Sequence, residues 1–405
     1  MTAPRTRSTD SIMAAKRACM VRSSSPTTSA ARAAATRELY GTAGQGQVFK
    51  FFDTLAPAEQ DGLLDQLEKI DVTRLMETYK LTVEAGAGGV APARPAPLKR
   101  VEKLFRASQG DRERWQTRGL SLIGQGSVAY LLLAGGQGTR LGTSDPKGCY
   151  DIGLPSRKSL FQLMAERLRR VAEMSKTGGG GEGARGQSDS VRVPWYVMTS
   201  PQTDAATQSF FKKHAFFGLN ESDIFFFQQG TLPCLSLDGK ILLETKSTVT
   251  SAPDGNGGIY VALEKSGALE DMRSRGVEFV HCSSVDNALV LAADPLFVGY
   301  CVEQGADCGA KVCAKACAEE AVGVLCAAEG GGARVVEYSE LEPSAAKETD
   351  PNTGELRLNA GNICNHFYTV DFLQKAAALP TPFHVAKKKV SLAINFKVVG
   401  WRLDR

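Results

Sequence analysis

The segment Leu131–Lys147, LLLAGGQGTRLGTSDPK, contains an apolar run, four glycines and a terminal lysine, in an order suited to binding phosphate groups. The preceding residues Val128–Leu133 are continuously apolar, as in a strand that is buried on both faces of a parallel sheet. Glycine has no Cβ, so the loop backbone can approach a phosphate and point N–H groups at it. The spacing predicts a phosphate-binding loop that follows a buried strand.

Two common phosphate-binding motifs do not match this loop. A P-loop requires G-x-x-x-x-G-K-[ST], and no Gly-Lys-Ser/Thr is present here. The dinucleotide fingerprint G-x-G-x-x-G is one residue shorter than the spacing of Gly136, Gly138 and Gly142. Taken by itself, the loop could also be an ordinary turn between a strand and a helix.

Five later segments accompany the loop, and their order along the chain is informative. They are Phe226–Gly230 (FFQQG), Ala252–Gly258 (APDGNGG), Val285–Asn287 (VDN), Val335–Glu340 (VVEYSE) and Asn359–Asn362 (NAGN). With the glycine loop, they make residues 46–389 resemble the eukaryotic UDP-N-acetylhexosamine pyrophosphorylases, which are sugar-nucleotide uridylyltransferases.

This resemblance implies a reaction between UTP and N-acetylglucosamine 1-phosphate that yields UDP-N-acetylglucosamine and pyrophosphate. N-acetylgalactosamine 1-phosphate is an alternative acceptor. The sugar phosphate is already an anionic nucleophile, so catalysis needs placement and charge neutralisation rather than a general base. A UDP-glucose or broad UDP-sugar pyrophosphorylase is the neighbouring alternative.

The resemblance also assigns residues to the phosphate side of the site. Lys147 is the expected catalytic cation beside the α-phosphate, and the planar donor fork of Arg140 suits the leaving pyrophosphate. Asp286 is the expected nucleotide and Mg²⁺ ligand, with Mn²⁺ as an alternative ion, because Mg²⁺ uses few carboxylates and shares phosphate oxygens. The competing roles are a surface lysine, a loop-bracing ion pair and a helix N-cap, respectively.

Two further groups of residues follow from the same resemblance. The expected contacts of the nucleotide base are Leu133, Ala134, Gly135, Gly136, Gln229 and Gly255. The expected contacts of the sugar are Asn256, Glu337, Tyr338 and Asn362. A side-chain amide such as Gln229 can pair with the donor and acceptor edge of uracil. Without the resemblance, we would interpret Glu337 as an exposed strand residue and Asn362 as a turn residue.

Strand and helix patterns alternate through the core of the sequence, which predicts an α/β fold. The expected architecture is a doubly wound, mostly parallel, Rossmann-like sheet, as in nucleotide-diphospho-sugar transferases, with ligands beyond the carboxyl ends of the strands. We expect a disordered or targeting tail over residues 1–42 and a helical region with a linker over 43–124. An incomplete catalytic domain over 125–389 and a divergent tail over 390–405 follow.

Composition excludes several classes of function. The net charge of +4 is too small to indicate nucleic-acid binding, and the sequence has no apolar run long enough to span a membrane. Ten irregularly spaced cysteines without a secretory segment indicate reduced thiols and a cytoplasmic protein. The basic, acid-poor N-terminus leaves organellar targeting open, and the sequence does not distinguish a monomer from a homodimer.

The resemblance ends near Lys389, whereas the family continues through a phosphate-contacting lysine and a C-terminal domain. Two interpretations follow. We favour an incomplete version of an active enzyme, because each motif before the break keeps its functional residue types. The alternative is a shortened, non-catalytic relative that still binds nucleotide.

Overall fold

The structure is a computed structural model that describes residues 28–88, 94–98, 101–138, 141–178, 191–328, 332–379, 384–391 and 397–404. Its strands are β1 (Val128–Leu133), β2 (Trp195–Thr199), β3 (Ile224–Gln228), β4 (Thr231–Pro233), β5 (Ser251–Pro253), β6 (Phe279–Ser284), β7 (Cys308–Ala314), β8 (Val324–Ala327), β9 (Ala333–Val336), β10 (Ala360–Thr369), β11 (His384–Ser391) and β12 (Lys397–Asp404). Its α-helices are α1 (Ser29–Thr42), α2 (Pro57–Glu68), α3 (Val72–Gly88), α4 (Gln109–Gly124), α5 (Leu160–Gly178), α6 (Asp204–Lys213), α7 (Ile259–Lys265), α8 (Ala268–Ser274), α9 (Pro295–Glu303), α10 (Pro343–Ala346) and α11 (Val370–Ala377).

An eight-stranded sheet forms the centre of the larger unit, in the order β3-β2-β1-β6-β10-β8-β9, with β7 also paired to β10. Strands β3, β2, β1 and β6 are parallel neighbours, and Leu133 lies beside Met198 on one side and Ser284 on the other. Their carboxyl ends therefore share one edge of the sheet. The expected α/β fold with a parallel core is confirmed, and the sheet continues with β10 and its neighbours in antiparallel pairing.

Both faces of this sheet are covered, which explains why all six residues of β1 are buried. Tyr130 and Leu132 pack on one face with side chains from α4, α5 and α9, whereas Leu131 and Leu133 pack on the other face with α7, α8 and α11. This alternation along an extended strand gives the doubly wound arrangement.

Helices α4 and α9 approach each other unusually closely on the first of these faces. A Cβ added to Gly119 would lie 1.8 Å from the Pro295 carbonyl oxygen, and one added to Gly299 would lie 1.9 Å from the Trp115 carbonyl oxygen. Only glycine allows two helix backbones to come this close. Helix α4, which we expected in the N-terminal region, therefore belongs to the unit that contains the sheet.

A smaller unit contains residues 28–83, the inserted segment 232–252 and the described residues of 385–402. The Gln45 side chain donates to the Gly239 carbonyl oxygen at 2.9 Å and accepts from the Ile241 backbone N–H at 2.8 Å. The Asp238-Gly239 turn between Leu235 and Ile241 closes an antiparallel ribbon, and Gly239 has a φ of 76°. These hydrogen bonds join the ribbon to the helical residues of the same unit.

The expected disordered tail does not include residues 28–42, because α1 is part of this smaller unit. Tyr40 is fully buried and donates to the Leu67 carbonyl oxygen at 2.9 Å, while Arg32 pairs with Asp65 and Glu68. The alanine-rich helix presents few apolar side chains, so its periodicity is weak although its residues favour helix. Residues 1–27 lie outside the described residues.

Candidate functional site

The glycine loop leaves β1 and folds back on itself. The Ala134 N–H donates to the Met198 carbonyl oxygen at 2.8 Å, which holds the start of the loop at the sheet edge. Farther along, Gln137 forms a bridge with Pro146, and the Lys147 N–H donates to the Gly136 carbonyl oxygen at 3.2 Å. This return places Lys147 over the start of the loop, where a Cβ on Gly136 would lie 3.3 Å from Lys147 Cε.

Arg140 falls on residues 139–140, which lie outside the described residues. Its role toward pyrophosphate therefore stays a prediction.

Lys147 and Asp286 meet at the carboxyl edge of the sheet although 139 residues separate them. Lys147 Nζ donates to Asp286 Oδ1 at 3.0 Å and to Oδ2 at 2.9 Å. Asp286 follows β6, and the neighbouring Val285 N–H donates to the Leu133 carbonyl oxygen at 3.0 Å. The sheet thus brings together two expected phosphate-side groups from the segments that follow the adjacent strands β1 and β6. A bound polyanion would compete with Asp286 for the ammonium group.

Gln229 lies on the same loop from the neighbouring side. Its backbone N–H donates to the Thr199 carbonyl oxygen at 2.9 Å, which continues the pairing of β3 with β2 to the carboxyl edge of the sheet. A Cβ on Gly135 would lie 2.2 Å from Gln229 Nε2, so the amide occupies the space that any larger residue at position 135 would need. The amide and the loop backbone together form a surface on which the edge of a base could be recognised.

Asp254 is a site-adjacent residue that our sequence interpretation did not single out. It is 5% exposed, and its backbone N–H donates to the Gly230 carbonyl oxygen at 3.0 Å. Its carboxylate fills the space where Cβ atoms on Gly230 and Gly258 would lie, at 2.5 and 2.0 Å from the nearest carboxylate oxygen. In the sequence, Asp254 lies in the APDGNGG segment, and the glycines beside its carboxylate, Gly230 and Gly258, end the FFQQG and APDGNGG segments. Gly255 follows with a φ of 87°, a backbone conformation that favours glycine.

Asn362 lies in β10 next to an irregularity in the sheet. Its backbone N–H donates to the Gly323 carbonyl oxygen at 2.8 Å, and its side-chain oxygen accepts from the Cys364 N–H at 3.1 Å. Pairing with β7 shifts register between Asn362 and His366, and Cys364 has a φ of 51°. The bulge turns toward the end of β6, because Asn287 Nδ2 donates to the Ile363 carbonyl oxygen at 3.4 Å.

Glu337 and Tyr338 directly follow β9, and both side chains are exposed. A Cβ on Gly323 would lie 3.3 Å from Glu337 Oε2, so Glu337 adjoins the same glycine whose carbonyl oxygen accepts from the Asn362 N–H. The structure therefore brings Glu337 and Asn362 to one glycine. The side chain of Asn256, in the 3₁₀ turn Asn256–Gly258, lies outside the described residues.

The described part of the chain has no group of three or more His, Cys, Asp or Glu side chains that could hold a metal ion. Asp286 is 58% exposed at its side chain, so its carboxylate can also face a ligand. This donor set fits Mg²⁺, which binds through one or two carboxylates together with phosphate oxygens and water. The nine described cysteines are free thiols, and burial raises the pKa of Cys364 to about 11.

Among the described residues, no helix has the length and apolar character needed to cross a membrane.

A glycine-rich loop at the carboxyl edge of a doubly wound sheet, followed by a lysine that pairs with an aspartate just after the adjacent strand, is an arrangement suited to nucleotidyl transfer. Comparison with known families agrees with this class. The family model of UTP–glucose-1-phosphate uridylyltransferase matches residues 93–399. The chain belongs to this uridylyltransferase family.

Individual relatives are similar over most of the chain. UDP-N-acetylglucosamine diphosphorylase 2 of Arabidopsis thaliana is 44% identical over 366 residues, which cover 89% of this chain and 72% of the relative. The crystal structure of the UDP-N-acetylglucosamine pyrophosphorylase of Trypanosoma brucei in complex with an inhibitor has a TM-score of 0.79 and 32% identity, covering 94% of this chain and 74% of that chain.

A mutant UDP-glucose pyrophosphorylase of Leishmania major, in complex with UDP-glucose, has the same fold. Its TM-score is 0.59 and its identity is 16%, with coverage of 87% of this chain and 72% of that chain. At this identity, the likeness concerns the fold alone.

Proposed function

We propose that this chain transfers the uridylyl group of UTP to N-acetylglucosamine 1-phosphate and releases pyrophosphate. The observation that carries the proposal is the contact of Lys147 with Asp286 at 2.9 Å, directly beside the glycine loop. This contact brings an ammonium group, a carboxylate and the backbone of the glycine loop together at one sheet edge, which supports the handling of a phosphate chain there. The relative from Arabidopsis thaliana, named for UDP-N-acetylglucosamine, supports the choice of sugar.

The reaction is an in-line substitution at the α-phosphorus of UTP. A phosphate oxygen of the sugar 1-phosphate forms the new P–O bond while the bond to the pyrophosphate oxygen breaks, and the leaving group keeps the electron pair. The nucleophile is anionic, so no proton must be removed from it. Lys147 neutralises charge on the transferred phosphoryl group, and Arg140 acts on the leaving pyrophosphate.

Asp286 is the residue that would hold a divalent cation, Mg²⁺ or Mn²⁺. When bound, such an ion neutralises phosphate charge and orients the phosphate chain. Lys147 is displaced from Asp286 toward the phosphate groups when the nucleotide binds, because the phosphates carry more negative charge than one carboxylate.

Recognition of the two substrates divides between the two sides of the sheet edge. On the base side we assign the loop residues Leu133, Ala134, Gly135 and Gly136, with the Gln229 amide and Gly255. On the sugar side we assign Asn256, Glu337, Tyr338 and Asn362. Amides and a carboxylate are suited to sugar hydroxyls and an acetamido group, because they offer both donors and acceptors.

The deciding experiment measures pyrophosphate release from UTP with Mg²⁺ and each of three acceptors. We expect the fastest turnover with N-acetylglucosamine 1-phosphate, slower turnover with the N-acetylgalactosamine analogue and the slowest with glucose 1-phosphate. Preference for glucose 1-phosphate would instead favour the second candidate, a UDP-glucose pyrophosphorylase, which the name of the matching family model suggests.

Calorimetric titration with UTP separates a failed reaction from a failed nucleotide site. UTP binding without pyrophosphate release from any acceptor would contradict the proposal and indicate a nucleotide-binding protein. Absence of both binding and turnover would contradict the assignment of the site itself.

A further inference from the structure

A fully buried polar pair connects β6 with β10 behind the site. His281 is 0% exposed and Asn365 is 3% exposed, and His281 Nε2 lies 2.7 Å from Asn365 Oδ1. The two residues come from strands whose pairing is regular at this point, where Asn365 lies opposite Ser283. A buried imidazole and a buried amide are retained in an apolar interior only at a cost, which the hydrogen bond between them offsets.

The partner on the other ring nitrogen determines the direction of this hydrogen bond. The Asp294 backbone N–H donates to His281 Nδ1 at 3.3 Å, so Nδ1 is an acceptor and Nε2 carries the proton that is donated to Asn365. Burial lowers the pKa of His281 to about 4, which keeps the ring neutral and this arrangement unchanged near neutral pH.

Asp294 is itself held in place by several contacts. Its carboxylate accepts from the Leu296 N–H at 3.1 Å and the Phe297 N–H at 3.4 Å, which caps α9, and it also pairs with Lys311. The chain of contacts from Asp294 through His281 to Asn365 therefore runs from a capped helix to β10.

Asn365 stands where β10 returns to regular pairing after its bulge. The preceding residue, Cys364, has a φ of 51°, a strained conformation that persists only where surrounding contacts enforce it. On the other side of the bulge, Ile363 accepts from Asn287, and the Asn362 side chain accepts from the Cys364 N–H. The bulge is thus held at both ends, and Asn365 is its buried end.

We propose that His281 and Asn365 are positioning residues, which hold the β10 bulge against β6 and so place Asn362 for the sugar phosphate and Asn287 beside Asp286. The inference rests on the proposed function for the identity of the substrate. It explains the position of the Asn362 amide by a neutral histidine, His281, which has one hydrogen-bonding orientation and does not itself contact the substrate.

The test compares Asn365→Leu with Asn365→Asp. Leucine removes the acceptor, whereas aspartate keeps an oxygen for the Nε2 proton. For Asn365→Leu we expect the KM for N-acetylglucosamine 1-phosphate to rise at least fivefold, while the Kd for UTP, measured by calorimetry, stays within twofold of wild type. For Asn365→Asp we expect a KM within threefold of wild type.

Ile123→Ala serves as a matched control for lost stability. Ile123 is fully buried near the C-terminal end of α4, which precedes the amino end of β1, at the edge opposite the site. We expect Ile123→Ala to lower the unfolding temperature. It should not raise the KM for N-acetylglucosamine 1-phosphate selectively over the Kd for UTP. An Asn365→Leu variant with an unchanged KM would overturn the inference, and so would equal losses of affinity for UTP and the sugar phosphate. A selective rise of the sugar-phosphate KM in Ile123→Ala would also overturn it.

A second readout does not depend on turnover. Deuterium uptake should rise in Asn365→Leu at residues 361–366 and 285–289 and stay unchanged in the smaller ribbon unit. If the wild-type protein released no pyrophosphate, the proposed function would be wrong. The deuterium uptake of Asn365→Leu would then still test whether His281 and Asn365 hold the bulge. If Asn365→Leu did not fold, Asn365→Ser, whose hydroxyl is too short to reach His281, would be measured in the same way. Unchanged uptake at both segments would overturn the inference.

Discussion

Replacing Lys147 by methionine should separate catalysis from stability more sharply than any other single change. Methionine keeps an unbranched side chain of similar length and removes the ammonium group. In the structure, that group touches both oxygens of Asp286, but the two side chains are 21% and 58% exposed. An ion pair this exposed contributes about 0.2–1 kcal/mol to stability, so the fold should hardly change.

The expected effect on the reaction is much larger. Removal of one preorganised electrostatic group from an active site costs about 10²–10³ in kcat, or about 2.7–4 kcal/mol. We therefore expect kcat for pyrophosphate release to fall by about 10²–10³ in Lys147→Met, while the free energy of unfolding in urea falls by less than about 1 kcal/mol.

Lys158→Met supplies the matched control. Lys158 pairs with Glu166 at 2.7 Å, with exposures of 33% and 37%, and neither residue is assigned to the site. It should lose a similar amount of stability and keep its turnover. A Lys147→Met variant within tenfold of wild-type kcat would refute the role of Lys147, and a loss of more than about 2 kcal/mol of stability would show that the pair is mainly structural.

Three further predictions follow from close contacts and burial. Gly135→Ala would place a Cβ 2.2 Å from Gln229 Nε2, so displacement of the amide should raise the calorimetric Kd for UTP about tenfold; an unchanged Kd would exclude this role of Gln229. Gly299→Ala would place a Cβ 1.9 Å from the Trp115 carbonyl oxygen and should cost about 3 kcal/mol in urea unfolding; a loss below about 1 kcal/mol would contradict the close helix contact. His281 has a folded-state pKa lowered from 6.5 to about 4, so the unfolded chain binds the proton first as pH falls. The stability that the neutral ring contributes above pH 6.5 is therefore lost between pH 6.5 and 4, by at most about 3 kcal/mol. His281→Gln should flatten that part of the stability curve, and an unchanged slope would contradict it.

Features that depend on neighbours along the chain could be predicted well. The strand before the glycine loop is recognisable because burial on both faces demands a continuous apolar run. Asp71 accepts from the Arg74 N–H at 3.0 Å at the start of α3, and the Ser159 side chain accepts from the Gln162 N–H at 3.2 Å at the start of α5. Capping depends on residues a few positions apart, so its signals are local.

Features that depend on strand pairing could not be predicted in the same way. The sequence interpretation did not include the antiparallel half of the sheet, because β7, β8 and β9 are short or irregular and β7 and β8 pair with β10, a strand distant in sequence. Helix α1 was also not predicted, for a different reason: Tyr40 is its main buried apolar side chain, so the sequence shows little apolar periodicity there.

The candidate site divides along the same line. The residue types and the glycine spacing of the phosphate loop are properties of one short segment, and they were sufficient to indicate phosphate binding and, with the later motifs, the family. Three contacts of the site could be recognised only in the folded chain. They are the ion pair of Lys147 with Asp286, the packing of the Gln229 amide against Gly135 and the hydrogen bond between His281 and Asn365. Each of these pairs joins residues that are distant in sequence and lie on, or in segments that follow, different strands. Only the order and register of the sheet determine which strand ends become neighbours.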